Sequence, residues 1–461
     1  MKKLGKIGKI ELSTSQVILI AFLCAILVGS ALLTLPFASA SGQITPYVDA
    51  LFTSTTSVCV TGLVVVNTFD YWSIWGQIII LVLIQCGGLG IVTFTTSVMM
   101  VIGKKVSLKD RLLIQDAFNL DTLSGLLKFL KKVVKGTFFV ELMGALCYML
   151  VFIPEFGVAK GIWVSVFNAV SSFCNAGIDI IGPYSLAPYA QNIWINIVTI
   201  LLIVLGGIGF IVWWDVIRVL NLIRKKEISR KEFFKKLSLH SKVVLTTTGI
   251  LIVGGMVIVF LLEFNNPKTL GPMSFGNKII AALFQSVTTR TAGFFTISQK
   301  DLRDSTALLC IILMFIGGSP VGTAGGVKTA TIALIFIATA ATIKGREEAS
   351  AFNRAIPLKT IRKALAVVLI SMLVFFMATM CLLTVMPQAE FVDVAFETAS
   401  ALGTTGLSRD FTAGLNMLGK IIIITCMYLG RIGPISMVIA FNFKRGRRGL
   451  VTFPEEDITV G

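Results

Sequence analysis

The chain has 461 residues, 55% of them hydrophobic and only 14% charged, with a mean hydropathy of +0.87. So little charge cannot clothe a water-soluble protein of this length, and lipid must be the solvent for much of the surface. Nor is the formal charge of +17 a nucleic-acid signature, because 31 of the 41 Lys and Arg residues fall in five blocks: before residue 10 and in 104–135, 218–242, 344–363 and 444–448. Basic blocks between apolar runs mark cytoplasmic loops and lipid-headgroup contacts, which puts both termini inside the cell.

Taken in chain order, one pattern occurs four times. A first apolar span enters at 16–38, 133–154, 243–264 and 361–386. The earliest is too long for the apolar part of a signal peptide and reads as a true span, with no cleavable leader expected. A shorter, moderately polar segment follows at 47–60, 160–174, 275–290 and 389–403, and a second apolar span returns at 75–102, 192–221, 305–342 and 416–441. A helix needs about 20 residues to cross the hydrocarbon core, and both flanking loops are basic, so the middle segment must enter and leave on the outer face. The expected fold is all-α and integral to the membrane, with eight transmembrane helices plus four re-entrant pore helices. These form four pseudo-symmetric repeats around one pore, at 10–110, 111–225, 226–345 and 346–445, followed by a cytoplasmic tail, 446–461. Residues 104–132 and 224–240 read as short basic amphipathic helices on the inner surface. No segment is long enough for a nucleotide-binding domain of its own.

The middle segments carry the chemistry. LFTSTTSVCVTGL, VFNAVSSFCNAGI, LFQSVTTRTAGF and AFETASALGTTGL place glycines at 62, 177, 293 and 406, spaced by 115, 116 and 113 residues. Near-constant spacing with the same local chemistry means an internal repeat. A monovalent cation such as potassium that crosses lipid must exchange its water shell for other oxygens. Backbone carbonyls supply them without burying fixed charge. An extended turn of small residues, with glycine's backbone freedom at one point, can present successive carbonyls. Val60, Thr61 and Gly62 fit that requirement, as do Asn175, Ala176 and Gly177, Thr291, Ala292 and Gly293, and Thr404, Thr405 and Gly406. The preceding helices would aim their C-terminal ends, with about half a negative charge, at the cation. The competing reading is that runs of small residues merely allow close helix packing. The eight cysteines, all in apolar or pore-like stretches without CxxC spacing, read as small buried residues rather than disulfides or metal ligands.

A second unusual stretch is GGSPVGTAGGVKT, Gly317–Thr329, inside the return span of the third repeat. Glycine costs ~1 kcal/mol and proline ~3 in a helix interior, so this span cannot stay continuous. Val327 stands before Lys328 where a phosphate-binding loop needs glycine, so that motif fails. The counterparts GGLG (87–90), GGIG (206–209) and GRIG (430–433) keep small residues at mid-span, and only the third repeat is expected to break. The stretch is either a kinked packing site or a polar gate beneath the carbonyl ring, built from Gly317, Gly318, Ser319, Gly322, Thr323, Gly325, Gly326 and Lys328. Arg431, a mid-span charge costing at least ~2.5 kcal/mol unless it finds a cavity or partner, is expected to hydrogen-bond that loop and hold it shut. Arg290 and Glu397 either pair to brace the ring from behind or each face water in the outer vestibule. Glu141, inside a span, must face protein or be protonated, and Glu155 is expected at the outer surface.

The loops TSVCVTGL, SSFCNAG, TTRTAGF and SALGTTGL resemble those of the Trk/Ktr/HKT superfamily of potassium transporters, closest to the Ktr-type membrane (KtrB-like) subunit, over essentially the whole chain. The resemblance implies a pseudo-fourfold potassium pore in the plasma membrane with one selectivity glycine per loop and no enzymatic activity. It further implies an intramembrane gating loop at 317–329, a homodimer with one pore per subunit, and a cytoplasmic nucleotide-binding (KtrA-like) regulatory ring. No cofactor is expected in this chain. The transported ion is K⁺, with Na⁺ as an activator, and nucleotide acts only through the partner. LVTFPEEDITVG resembles the family's ending at the dimer centre. The loops lack the second half of the TVGYG filter of potassium channels, which implies weaker discrimination against sodium. A poorly selective Na⁺/K⁺ channel and a cation-coupled alternating-access carrier remain as alternatives. The carrier is disfavoured because only one span looks broken.

Overall fold

A computed structural model describes residues 5–7, 10–102, 107–117 and 125–433. Each quarter of the chain starts with a long apolar helix: α1 (Thr14–Thr34), α6 (Leu126–Phe156), α10 (Leu239–Glu263) and α14 (Leu358–Val385). These four are long and apolar enough to cross a membrane. Their starts follow from local chemistry. Ser13 and Gln16 form a reciprocal capping box on α1, and the Ser238 hydroxyl accepts the Ser241 amide to begin α10. The second of these helices begins at Leu126, earlier than the 133 expected from hydropathy, because its basic first turns continue the same helix.

A shorter helix follows each long one: α2 (Tyr47–Cys59), α7 (Val158–Cys174), α11 (Phe275–Thr288) and α15 (Phe391–Gly403). Their C-terminal halves are almost wholly buried although rich in Ser and Thr. A returning helix then starts on a side-chain cap at Ser73, Asn192 or Asn416, giving α3 (Ile74–Leu89), α8 (Ile193–Gly207) and α16 (Met417–Ile432). In the third quarter α12 (Asp304–Phe315) lacks such a side-chain cap; instead the buried Glu263 carboxylate accepts the Arg303 amide at 3.0 Å.

The returning helices depart from expectation. In the first two quarters they do not run straight through: α3 turns by 102° into α4 (Ile91–Val101), and α8 turns by 100° into α9 (Phe210–Arg224). Gly90 at φ +82° and Gly209 at φ +91° make these corners, conformations that L side chains resist. Counting each bent pair as one span brings the described total to six. The third quarter is interrupted between α12 and α13 (Thr329–Ile343) by the glycine-rich loop. Among the described residues three return spans are therefore broken, and the expectation of a single broken span is corrected. The inner-surface helices are also less extensive than expected: α5 (Leu108–Ala117) is helical, but between Arg224 and Leu239 only a 3-10 turn, Arg230–Glu232, and a four-residue helix, Phe233–Lys236, form. The tail 446–461 and the end of the last expected span lie outside the described residues.

Polar stitches join neighbouring quarters. Trp163 Nε1 donates to Gln77 Oε1 at 2.8 Å between the first and second, and the Leu186 amide donates to Phe295 O at 3.1 Å between the second and third. Arg409 of the fourth quarter donates to Leu302 O of the third at 3.2 Å. Lys420 of the fourth meets Asp49 of the first at 2.6 Å, which closes the circle. Apolar packing fills the seams between these bonds, with Phe52, Phe167, Phe284 and Phe396 of the short helices fully buried at corresponding places.

Candidate functional site: four glycine turns in a ring

Each short helix ends by turning into the left-handed region, at Val60 (φ 55°), Asn175 (φ 60°), Thr291 (φ 68°) and Thr404 (φ 51°). Each turn then reaches its glycine, at φ +99° for Gly62, +64° for Gly177, +87° for Gly293 and +90° for Gly406. The four glycines meet. A methyl group on Gly62 would lie 2.5 Å from Ala176 O, and one on Gly293 would lie 2.6 Å from Thr405 O. On Gly177 it would strike Ala292 O, and on Gly406 it would strike Thr61 O. Every turn thus abuts the carbonyl just before the next glycine, and the sequence of contacts returns to its start. Only an ordered ring of four loops produces that cycle.

The hydroxyl-rich runs explain how carbonyls are left free to face the ring. The Gly62 amide donates to Thr56 Oγ1 at 2.9 Å, Ile178 to Ser171 Oγ at 3.1 Å, and Gly406 to Ser400 Oγ at 3.0 Å. Backbone donors are satisfied from behind by hydroxyls six or seven residues upstream, so no turn needs to fold back on its own carbonyls. The third repeat inverts the device: Thr288 donates its hydroxyl to Phe294 O. Thr56, Ser171, Thr288 and Ser400 did not stand out individually in the sequence. Their recurrence five or six residues before each glycine was the available signal.

Cavities lie on both sides of the ring. The outer one, of about 270 Å³, is lined by Gly62, Gly177, Gly293 and Gly406 and by Asp179 and Asp410. Burial pushes the Asp179 carboxyl up to about 6, against hydrogen bonds from Ser185 and the Ile181 and Gly182 amides that favour the charged form. The other, of about 280 Å³, is lined by Gly88, Gly90, Phe210, Gly322, Lys328 and Arg431.

The Gly317–Thr329 loop links all four quarters. The Ser319 amide donates to Gly207 O at 2.8 Å, Thr323 Oγ1 to Phe173 O at 3.1 Å, and the Phe210 amide to Val321 O at 2.9 Å. Against the fourth quarter, a Cβ on Gly325 would strike Thr404 and one on Gly326 would lie 3.2 Å from Gly403 O. Arg431 donates through Nη1 to Thr323 O of the loop and through Nη2 to Gly87 O of the first quarter. Lys328 folds back on Ala324 O at 2.6 Å. The loop closes on itself through Thr329 N to Gly318 O at 3.0 Å and through the Ser319 and Thr329 hydroxyls at 2.9 Å.

Arg290 and Glu397 do not come together. Glu397 is wholly buried and accepts the hydroxyls of Ser408 at 2.7 Å and of Thr412, which fill its valences without a cation. The brace sought there is made instead by Arg409, which meets Asp393 at 2.6 Å as well as Leu302 O. Glu141 faces protein, taking the Gln85 amide at 3.0 and 3.2 Å, while Glu155 is exposed.

The family profile described as "TrkH: Cation transport protein" matches residues 6–447. The chain belongs to this cation transport protein family. It is 39% identical over 455 residues to the potassium/sodium uptake protein NtpJ of Enterococcus hirae, covering 98% of each chain. It is 37% identical over 452 residues to the Ktr system potassium uptake protein B of Bacillus subtilis, again covering 98% of each. To the protein of the same name from Vibrio alginolyticus it is 33% identical, covering 99% of this chain and 97% of the other. Its fold is similar to that of the crystal structure of the potassium transporter TrkH from Vibrio parahaemolyticus, with a TM-score of 0.73 at 19% identity, over 95% of this chain and 87% of the other. As a member of this family the chain is a multi-pass membrane transport protein and not an enzyme.

Proposed function

We propose that the protein takes up potassium across the plasma membrane, one pore per chain, with the four glycine turns as its selectivity filter. The cyclic approach of Gly62, Gly177, Gly293 and Gly406 to one another's preceding carbonyls carries this reading. Four loops in a closed ring supply the oxygens that replace a dehydrated cation's water. In this reading the chain has eight crossings and four re-entrant helices, with both termini cytoplasmic. The Gly317–Thr329 loop is the gate: it lies between the ring and the cavity at Gly90, and Arg431 pins it to the first quarter. A positive charge at that depth also raises the barrier to a cation.

The names of the relatives supply the ion, and the Ktr system relatives support a membrane subunit that works with other components. We extend this to a homodimer regulated by a cytoplasmic nucleotide-binding ring that docks on the basic inner loops, with sodium as an activator. Growth of a cell lacking its own potassium uptake, at low external potassium with and without sodium, tests the proposal. Rescue that needs potassium and is enhanced by sodium supports it. Equal sodium and potassium flux would instead indicate a poorly selective channel. Uptake that stops when a sodium or proton gradient is collapsed at constant membrane potential would indicate a coupled carrier. The two bent return helices remove one argument against the carrier, so that last arm carries weight.

A further inference from the structure

At the seam between the second and third quarters a small space of about 10 Å³ lies behind the ring, walled by α8, α10, α11 and the glycine-rich loop at Gly318. Two polar side chains line it, Arg290 and Thr248, each only 6% exposed. Arg290 Nε and Thr248 Oγ1 are both buried without a hydrogen-bond partner. The guanidinium forms no ion pair among the described residues. Other buried cations are not left this way: Arg409 has Asp393, and Lys278 has Phe264 O at 2.9 Å.

We infer that this space is a binding site for one halide anion, chloride in the cell, held between Arg290 Nε–H and the Thr248 hydroxyl. A guanidinium can only donate, and a hydroxyl rotates to donate, so both groups ask for an acceptor. The other side chains that line it, Ile203, Val204, Ile208, Ile252 and Val287, are apolar, and Gly207 and Gly318 add only backbone, which suits a weakly hydrated ion. The space is about one small sphere in size, which excludes phosphate, sulfate and carboxylates. A water molecule there would need acceptors for its own hydrogens and would leave the charge uncompensated in low dielectric. The charge matters because Arg290 stands three residues before Gly293, where an unneutralised cation would oppose the one in the ring. The anion is thus a counter-charge placed behind the third turn. This inference rests on the two orphaned donors and not on the transport reading, and binding alone tests it.

The full-length protein would be crystallised from bromide at constant potassium and its anomalous scattering measured. A bromide peak within hydrogen-bond reach of Arg290 Nε and Thr248 Oγ1 is expected, and Thr248→Val, which keeps the side chain's volume, should lose it. In solution, melting should occur at a higher temperature in chloride than in gluconate at equal potassium, with that difference lost in Thr248→Val. Water-strength density in the space, or a bromide peak and a chloride-dependent melting shift that both persist in Thr248→Val, would overturn the assignment.

Discussion

The glycine ring and the side of the molecule that carries the return-helix breaks treat its fourfold repeat in opposite ways. Around the ring, the four turns share a left-handed residue two before each glycine, glycines at φ between +64° and +99°, and hydroxyls upstream that serve the loop backbone. On the other side the quarters diverge: the first two return helices bend alike, near 100°, the third opens into a loop, and the fourth carries Arg431. In the proposed function, symmetry is kept where four groups would do the same thing to one ion. It is lost where a part would have to move relative to the others, because a mobile element cannot be held identically from four sides.

The comparison can be broken by showing that the turns are unequal. Replacing any one of Gly62, Gly177, Gly293 or Gly406 with serine adds a Cβ against a neighbouring carbonyl and forces a strained φ. A penalty of about 3 kcal/mol corresponds to a loss of roughly hundredfold in rubidium uptake. All four variants should fall together, and one that transports normally would take its turn out of the ring. On the asymmetric side, Arg431→Ala removes two charge-assisted hydrogen bonds to Thr323 O and Gly87 O. At about 1.5–3 kcal/mol for each such bond, loss of even one favours opening by about tenfold, and flux should rise by at least that much; unchanged flux in a normally melting variant would count against the pin.

Smaller effects sharpen the contrast. Ser400→Ala or Ser171→Ala orphans one loop amide, costing about 1–3 kcal/mol locally. Potassium-over-sodium preference in uptake should drop several-fold, similarly for both. A change confined to one of them would mean that the hydroxyls are not equivalent. The mildest expectation concerns Asp179, held up to about 6 by burial. Above that pH the vestibule carries its negative charge, and as pH falls through 6 the charge is lost. The KM for potassium should rise by about twofold to fivefold, the scale of a partly screened single charge. Asp179→Asn should show the acid value at every pH.

Much of this was legible in the sequence. The four glycines and the unusual 317–329 stretch follow from spacing and from the cost of glycine and proline in helices. The ring's hydroxyl backing was latent in TSTTS, SSF, TTRT and SAL but could not be assigned, since hydroxyls in helices usually bond their own carbonyls, as Thr55 does to Leu51 O. Two errors have physical causes. GGLG and GGIG look continuous by hydropathy, because a single positive-φ glycine turns the chain without adding a polar residue. Arg290 and Glu397 were matched by opposite charge alone, whereas buried carboxylates are equally well satisfied by hydroxyls, as Ser408 and Thr412 show.

The sharp corners at Gly90 and Gly209 have an electrical consequence. A helix of 16 or 15 residues rises only about 24 Å, short of a hydrocarbon core of about 30 Å. In the proposed pore, return helices this short would leave an insulating layer along the axis thinner than the bilayer around it. The transmembrane voltage would then drop across a shorter distance, and a permeating charge would feel a steeper local field from the same resting potential.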